Sequence, residues 1–351
     1  MSEIAGQDSP ATSGDWASVR RVHFYVSDLI ARDIEAFGIG VPERRMFEAL
    51  HFGEWVSHQD GVSVAAICEM IPERPAAQTV ASILDRMHTQ GWVERLATKS
   101  AGPHGGRLWS LSPGGREVRN EYKRIVEIVL QEVYSDATNE ERAALLDNAR
   151  VAMQQRHTLL APVADPSAPS DTPTRNNWGA LRATHFYIND ELLSRAKRLG
   201  VEVVERRVLD YLAFADDRGA SDGVRLPALS AMIPGAPRLQ TVESVLERMM
   251  LWGWTEKMED APSGPKRQAV RWRLTPRGHE IRVGYNGFAE VTLRQVYTDG
   301  GSTDRMLSLA AKAEQHRVLR ILPIVEAERR ASARTGAGDG ADEGGAGEAD
   351  G

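Results

Sequence analysis

A single cysteine, Cys68, in 351 residues excludes an internal disulfide and fits a reducing compartment. No apolar run approaches the roughly 18 to 20 residues that span a bilayer, which excludes a helical membrane protein. The opening "MSEIAGQDSPATSGD" has no basic segment followed by an apolar stretch, so residues 1–15 read as a disordered lead-in rather than a secretory signal. Together these absences point to the cytoplasm. The chain also lacks a phosphate-cradling glycine loop, a nucleophile elbow, a carboxylate pair and histidines at ligand spacing. The expectation is a protein that is not an enzyme and has no cofactor and no metal. Cys68 reads as a small buried residue, since the second copy of the repeat described next has Ser230 there.

What the chain does have is a duplication. "TVASILDRM" at 79–87 returns as "TVESVLERM" at 241–249, and "WASVRRVHFYVSDL" at 16–29 returns as "WGALRATHFYINDE" at 178–191. "ERR" and "MIP" keep the same spacing of 162 residues; "LWSLSPGGREVR" and "RWRLTPRGHEIR" follow at 163, so one residue was gained between them, as a hairpin tip allows. The length suits two domains, each able to bury its own core. "APVADPSAPSDTPTRNN" separates the copies and is a linker by composition; 17 such residues reach on the order of 50 Å. The net charge of −6 is unevenly spread. The Gly/Ala-rich end holds five acids against Arg334 alone, whereas 72–119 and 234–282 are each three charges positive.

Each copy reads as a helix, a second helix around "ERRMFEAL", a short helix, a proline-marked turn and a helix through "AAQTVASILDRMHTQGW". Alternating segments then flank a Gly/Pro/His cluster, and two long helices follow. The fold class is mainly α with small β wings, in winged helix-turn-helix order. Val80, Ile83, Leu84 and Met87 share one face of the motif's last helix, which leaves small and amide residues on the other, suited to a major groove.

"QTVASILDRMHTQGWVER" followed by a hairpin and "LSPGGRE", and "QTVESVLERMMLWGWTEK" followed by "LTPRGHE", resemble the recognition helix, wing and wing exit of the MarR family of bacterial transcription regulators. The resemblance covers most of 16–162 and 178–325. It implies MarR-like domains at 16–161 and 178–327, joined by a linker at 162–177 and followed by a disordered acidic tail at 328–351. It further implies double-stranded operator DNA as partner, release by a small phenolic or aromatic acid, and the family's dimer fused into one chain: a monomer acting as a pseudo-dimer, with further self-association open. The residues expected at DNA are Arg74, Gln78, Thr79, Ala81, Ser82, Arg86, Lys99 and Arg107, and in the second copy Arg238, Gln240, Thr241, Glu243, Ser244, Arg248, Lys266, Arg267 and Arg271. The family's Asp-x-Arg wing is replaced by His104 and Gly106 in one copy and by Arg267 and Ala269 in the other. The same helices would suit a tandem winged-helix module that binds proteins, or a replication initiator.

The first helices carry a seam at spacings of 3 and 4: Trp16, Val19, His23, Val26 and Ile30, answered by Trp178, Leu181, His185, Ile188 and Leu192. It reads first as the join between the copies. A second reading places an effector at Trp16, Arg20, His23, Trp178, Arg182 and His185, where a cation and an imidazole walled by aromatic rings suit an aromatic carboxylate.

Overall fold

A computed structural model describes residues 15–35, 37–57, 61–71, 74–96, 108–160, 178–259, 270–297 and 303–337. The protein is mainly helical with two small antiparallel sheets. The first copy runs α1 (Trp16–Glu35), α2 (Val41–Ser57), β1 (Val62–Ser63), α3 (Val64–Met70), α4 (Ala77–Thr89), β2 (Val93–Leu96), β3 (Leu108–Leu111), α5 (Pro113–Val133) and α6 (Asn139–Leu160). The second repeats that order: α7 (Trp178–Lys197), α8 (Val203–Asp216), β4 (Val224–Arg225), α9 (Leu226–Met232), α10 (Leu239–Leu251), β5 (Thr255–Glu259), β6 (Val270–Leu274), α11 (Pro276–Tyr297) and α12 (Thr303–Ala337). The sheets have matching orders, β1-β3-β2 and β4-β6-β5, with Val62 opposite Trp109 and Val224 opposite Trp272. The central strand thus buries one tryptophan in each copy.

Packing divides the chain differently from the repeat. One compact unit is Met1–Arg195 with Ala289–Gln315; the other is Ala196–Phe288 with His316–Gly351, so the division falls inside α7, α11 and α12. In the first unit these helices pack with α1 and α6. Thr184 Oγ1 donates to the Ala149 carbonyl at 3.0 Å, Arg21 pairs with Glu314 at 2.9 Å, and Lys312 pairs with Glu141 at 2.8 Å. α12 also corrects the boundary at 327/328: it continues as helix to Ala337, and Glu328 is buried. The reason is local, because "EAERRASAR" is made of good helix formers and glycine enters only at Gly336.

The repeated "SPGG" and "TPRG" turns have a steric basis. Ser112 and Thr275 each accept, on the side-chain oxygen, the N–H of Gly115 and Gly278, at 2.9 and 3.1 Å. Their own backbone N–H groups donate to the carbonyls of Trp92 and Trp254. Those carbonyls lie so close that an added Cβ would sit 1.7 Å from Trp92 O at Gly115 and 2.1 Å from Trp254 O at Gly278. Backbone cannot swing aside as a side-chain tip can. Gly115→Ala should therefore cost about 3 kcal/mol, the upper end of ordinary overpacking. Thermal unfolding reads this directly, and an unchanged midpoint would refute the close packing.

Candidate functional site

α4 and α10 present the same amphipathic cut. Val80, Leu84 and Met87 are fully buried and Ile83 half-buried, against buried Val242, Val245, Leu246 and Met249. Gln78, Thr79 and Ser82 are exposed with Ala81 half-buried; Gln240, Thr241, Glu243 and Ser244 are all exposed. Neither helix has a side-chain N-cap or an acid in its first turn, so its first N–H groups face solvent as a partial positive charge. The turn before each holds a non-glycine residue at positive φ, Arg74 at 43° and Ala236 at 39°. A copied backbone outlier marks a turn under the same constraint twice.

The cations expected at DNA separate into groups. Arg74 and Arg238 are exposed, with an Arg74–Glu69 pair at 3.5 Å. Arg86 and Arg248 are half-exposed, and each is paired to a buried acid of the preceding long helix, Glu43 and Glu205. That pairing fixes α4 to α2 and α10 to α8, and it places each guanidinium at the rim. Arg271 departs from the expectation. It is 3% exposed on β6, on the face of the strand opposite the buried Trp272 and Leu274, and lies 3.8 Å from the buried Glu328 of α12. Lys99, Arg107, Lys266 and Arg267 lie outside the described residues, as do His104, Gly106 and Ala269. At the far end of the helices the copies differ: Leu251 and Trp252 are exposed where the first copy has Thr89 and Gln90.

The seam residues meet, but not as an effector site. The imidazoles of His23 and His185 lie 4.2 Å apart between centroids, joining α1 to α7, and His185 Nε2 contacts Ser27 Oγ at 2.9 Å. The cavity beside them is about 20 Å³, room for one water, and otherwise apolar except for Tyr134 and Tyr297. Arg20 and Arg182 do not line it; they pair with Glu290 at 3.1 Å and Glu48 at 2.6 Å. Trp16 lies under the Arg294 guanidinium and Trp178 is half-buried. Arg20 and Arg182, the cations expected to receive a carboxylate there, thus turn to acids outside the cavity.

Nor does His185 switch near neutral pH. Burial, aided by the Arg44 cation and opposed by Asp190, pushes it down to about 3. The unfolded chain then takes up this proton at pH 6.5 and the folded one only near 3, so the stability present above pH 6.5 falls by about 1.4 kcal/mol per unit below it. The His185 ring resonances should not titrate above about pH 4. A midpoint near 6.5 in an NMR titration would show that the ring is solvated.

A second cluster was missed from sequence. Arg44, Arg45, Arg119 and Arg182, all buried or nearly so, converge on two carboxylates, Glu48 and Asp190. Arg44 and Arg45 pair with Asp190; Arg182 and Arg119 approach Glu48 at 2.6 and 3.9 Å. Burial alone would raise the Glu48 carboxyl, but the adjacent Arg182 and Arg119 hold it at about 2. Burial, with the Arg119 cation, drives His51 down to about 4. Arg44 lies 4.5 Å over the Phe186 ring, on which Tyr122 also stacks. Several buried donors here have no hydrogen-bond acceptor among the described residues: Tyr122 OH, Arg44 Nη1, Arg119 Nε and Arg182 Nε. The second unit keeps a similar kernel, Arg206 and Arg282 each 3.5 Å from Asp210. The repeated "ERR" was visible in sequence, but arginines on a helix ordinarily read as a solvated face.

Cys68 is half-buried, and burial together with Glu69 raises its thiol, so it is held in the unreactive form. Among the described residues there is no group of three or more His, Cys, Asp or Glu placed to hold a metal, and no helix long and apolar enough to cross a membrane. No protein-family model and no curated protein matches the chain.

Proposed function

We propose that the protein is a MarR-like transcription regulator, a repressor acting in the cytoplasm, whose two winged helix-turn-helix units read the two half-sites of one operator from a single chain. The observation that carries this reading is the matched pair α4 and α10. Each has a buried apolar face, an exposed face of Gln, Thr and Ser, an uncapped N-terminus and a rim arginine anchored by a buried glutamate. An exposed helix with free N–H groups and amide side chains suits phosphate contact at its end and base contact along its face.

The releasing effector is a small aromatic acid, and the arginine cluster suits it better than the histidine seam. Four arginines converge there, aromatic walls stand beside them, and the donors without acceptors among the described residues would be satisfied by a further carboxylate. The adjacent cavity is only about 20 Å³, so binding requires the cluster to open, and that movement is the means of release.

The test is a salt series on operator and random duplex DNA. Operator affinity should fall with a slope of about −5 or steeper in log K against log salt, and operator should bind at least about 1,000-fold tighter than random duplex. Light scattering should find one chain per operator, and benzoate or hydroxybenzoate should weaken the complex. A shallow slope with no sequence preference would favour a protein-binding module. Two chains as the minimum per site would end the single-chain reading.

A further inference from the structure

We infer that the last turns of α12 are a working part of the second unit's sheet, with Glu328 as the positioning residue that holds β4 and the loop-proximal end of β6 together; the described residues of the first copy have no such acid at this place. The inference begins with a like-charge pair. Arg225 on β4 stands directly opposite Arg271 on β6 in the antiparallel register. Two cations so placed repel, and Arg271 is only 3% exposed, so water cannot screen it.

Glu328, itself 5% exposed, supplies an opposite charge beside both. Arg225 Nε donates to both of its oxygens at 3.1 and 3.0 Å, Arg225 Nη2 donates at 2.6 Å, and the Arg225 backbone N–H donates at 3.3 Å. Arg271 Nη1 lies 3.8 Å from Oε2 of the same carboxylate. One acid thus bonds β4 to a helix 103 residues further along the chain and sets a negative charge 3.8 Å from the Arg271 guanidinium of β6.

The first copy solves the same position without charge. Ser63 stands opposite Leu108, and its hydroxyl accepts the Ala66 N–H to cap α3. α9 has no side-chain cap. The two arginines and the glutamate form one set in the second copy, and Ser63 and Leu108 stand where the first copy would need its arginines. Arg271 serves this set rather than a groove.

Three variants test the inference by amide hydrogen exchange on the full chain without DNA: Glu328→Gln, Glu328→Ala, and Glu328→Ala combined with Arg225→Ser and Arg271→Leu, which restores the first copy's uncharged pair. Glu328→Ala should accelerate exchange in 224–225, 255–259 and 270–274 by about 10-fold or more while 62–63, 93–96 and 108–111 stay unchanged. Glu328→Gln should fall between. The triple variant should return to within about 3-fold of the parent, and if Glu328→Ala does not fold, recovery of folding by the triple variant makes the same point. Equal acceleration in both sheets, no acceleration, or no rescue would overturn the inference. Footprinting adds the consequence for DNA, which rests on the regulator reading: Glu328→Ala should lose protection over one half-site only. Absence of any footprint with the parent protein would count against the regulator reading and leave the exchange result standing.

Discussion

Replacing Glu48 with glutamine should destabilise the protein by about 3 kcal/mol at pH 7, which is among the largest single-residue effects expected outside the core. The carboxylate is the acid facing Arg182 at 2.6 Å and Arg119 at 3.9 Å, both buried. Burial opposes its charge, yet the arginines hold it at about 2 against an ordinary 4.5, so the folded state binds this proton far more weakly than the unfolded chain. A depression of that size corresponds to about 3 kcal/mol. The contribution is complete above pH 4.5 and disappears as pH falls through 2. Urea unfolding across pH should thus show the parent losing stability in two windows: from 6.5 downward through His185 and His51, and from 4.5 downward through Glu48 and Glu141. Glu48→Gln should shrink the second window to the part due to Glu141 and keep the first. If the urea midpoints of parent and variant agree at pH 7, the cluster is solvated and its arginines have no bearing on an effector.

The second large effect is expected at Glu243. The buried faces of α4 and α10 are nearly constant, while at one exposed position the copies place half-buried Ala81 and exposed Glu243. Alanine offers a base only apolar contact, for instance with a thymine methyl, whereas a glutamate repels phosphate and can accept from cytosine N4. A homodimer cannot make its halves differ in this way, and a fused chain can. The operator should accordingly be an imperfect palindrome, alike where Gln78/Gln240 and Ser82/Ser244 point and unlike where Ala81 and Glu243 point. Glu243→Ala should relax one half-site by about 1–3 kcal/mol of discrimination at one or two base pairs and leave the other half-site unaltered. Selection from random DNA reads both. A symmetric consensus that Glu243→Ala does not change would mean that α10 is not reading bases and that the difference is surface drift.

The element order was legible because each element is long enough to show its period. α4 and α10 announce their buried faces at spacings of 3 and 4, and the hairpins are flagged by alternation around glycine and proline. The two-residue strands β1 and β4 were not legible, since two residues carry no period; they exist because the central strand has an open edge to fill. The histidine seam was read as a join, and α1 does meet α7 at His23 and His185. Its second reading, as an effector site, places Arg20 and Arg182 in the seam, and these pair instead with Glu290 and Glu48.

What the sequence by itself determined is the duplication, the helix and hairpin order within each copy, and the division of α4 and α10 into buried and exposed faces, all of which follow from local periodicity and from glycine and proline placement. What only the tertiary structure decided is where the charges go. Arg44 and Arg119 draw no reading from sequence, Arg182 reads as an effector contact and Arg271 as a DNA contact, and all four are buried beside acids distant in sequence: Asp190, Glu48 and Glu328. An arginine's burial is set by its partner across the fold, since the cost of desolvating a charge is offset only when an opposite charge is brought to it. No local pattern carries that information.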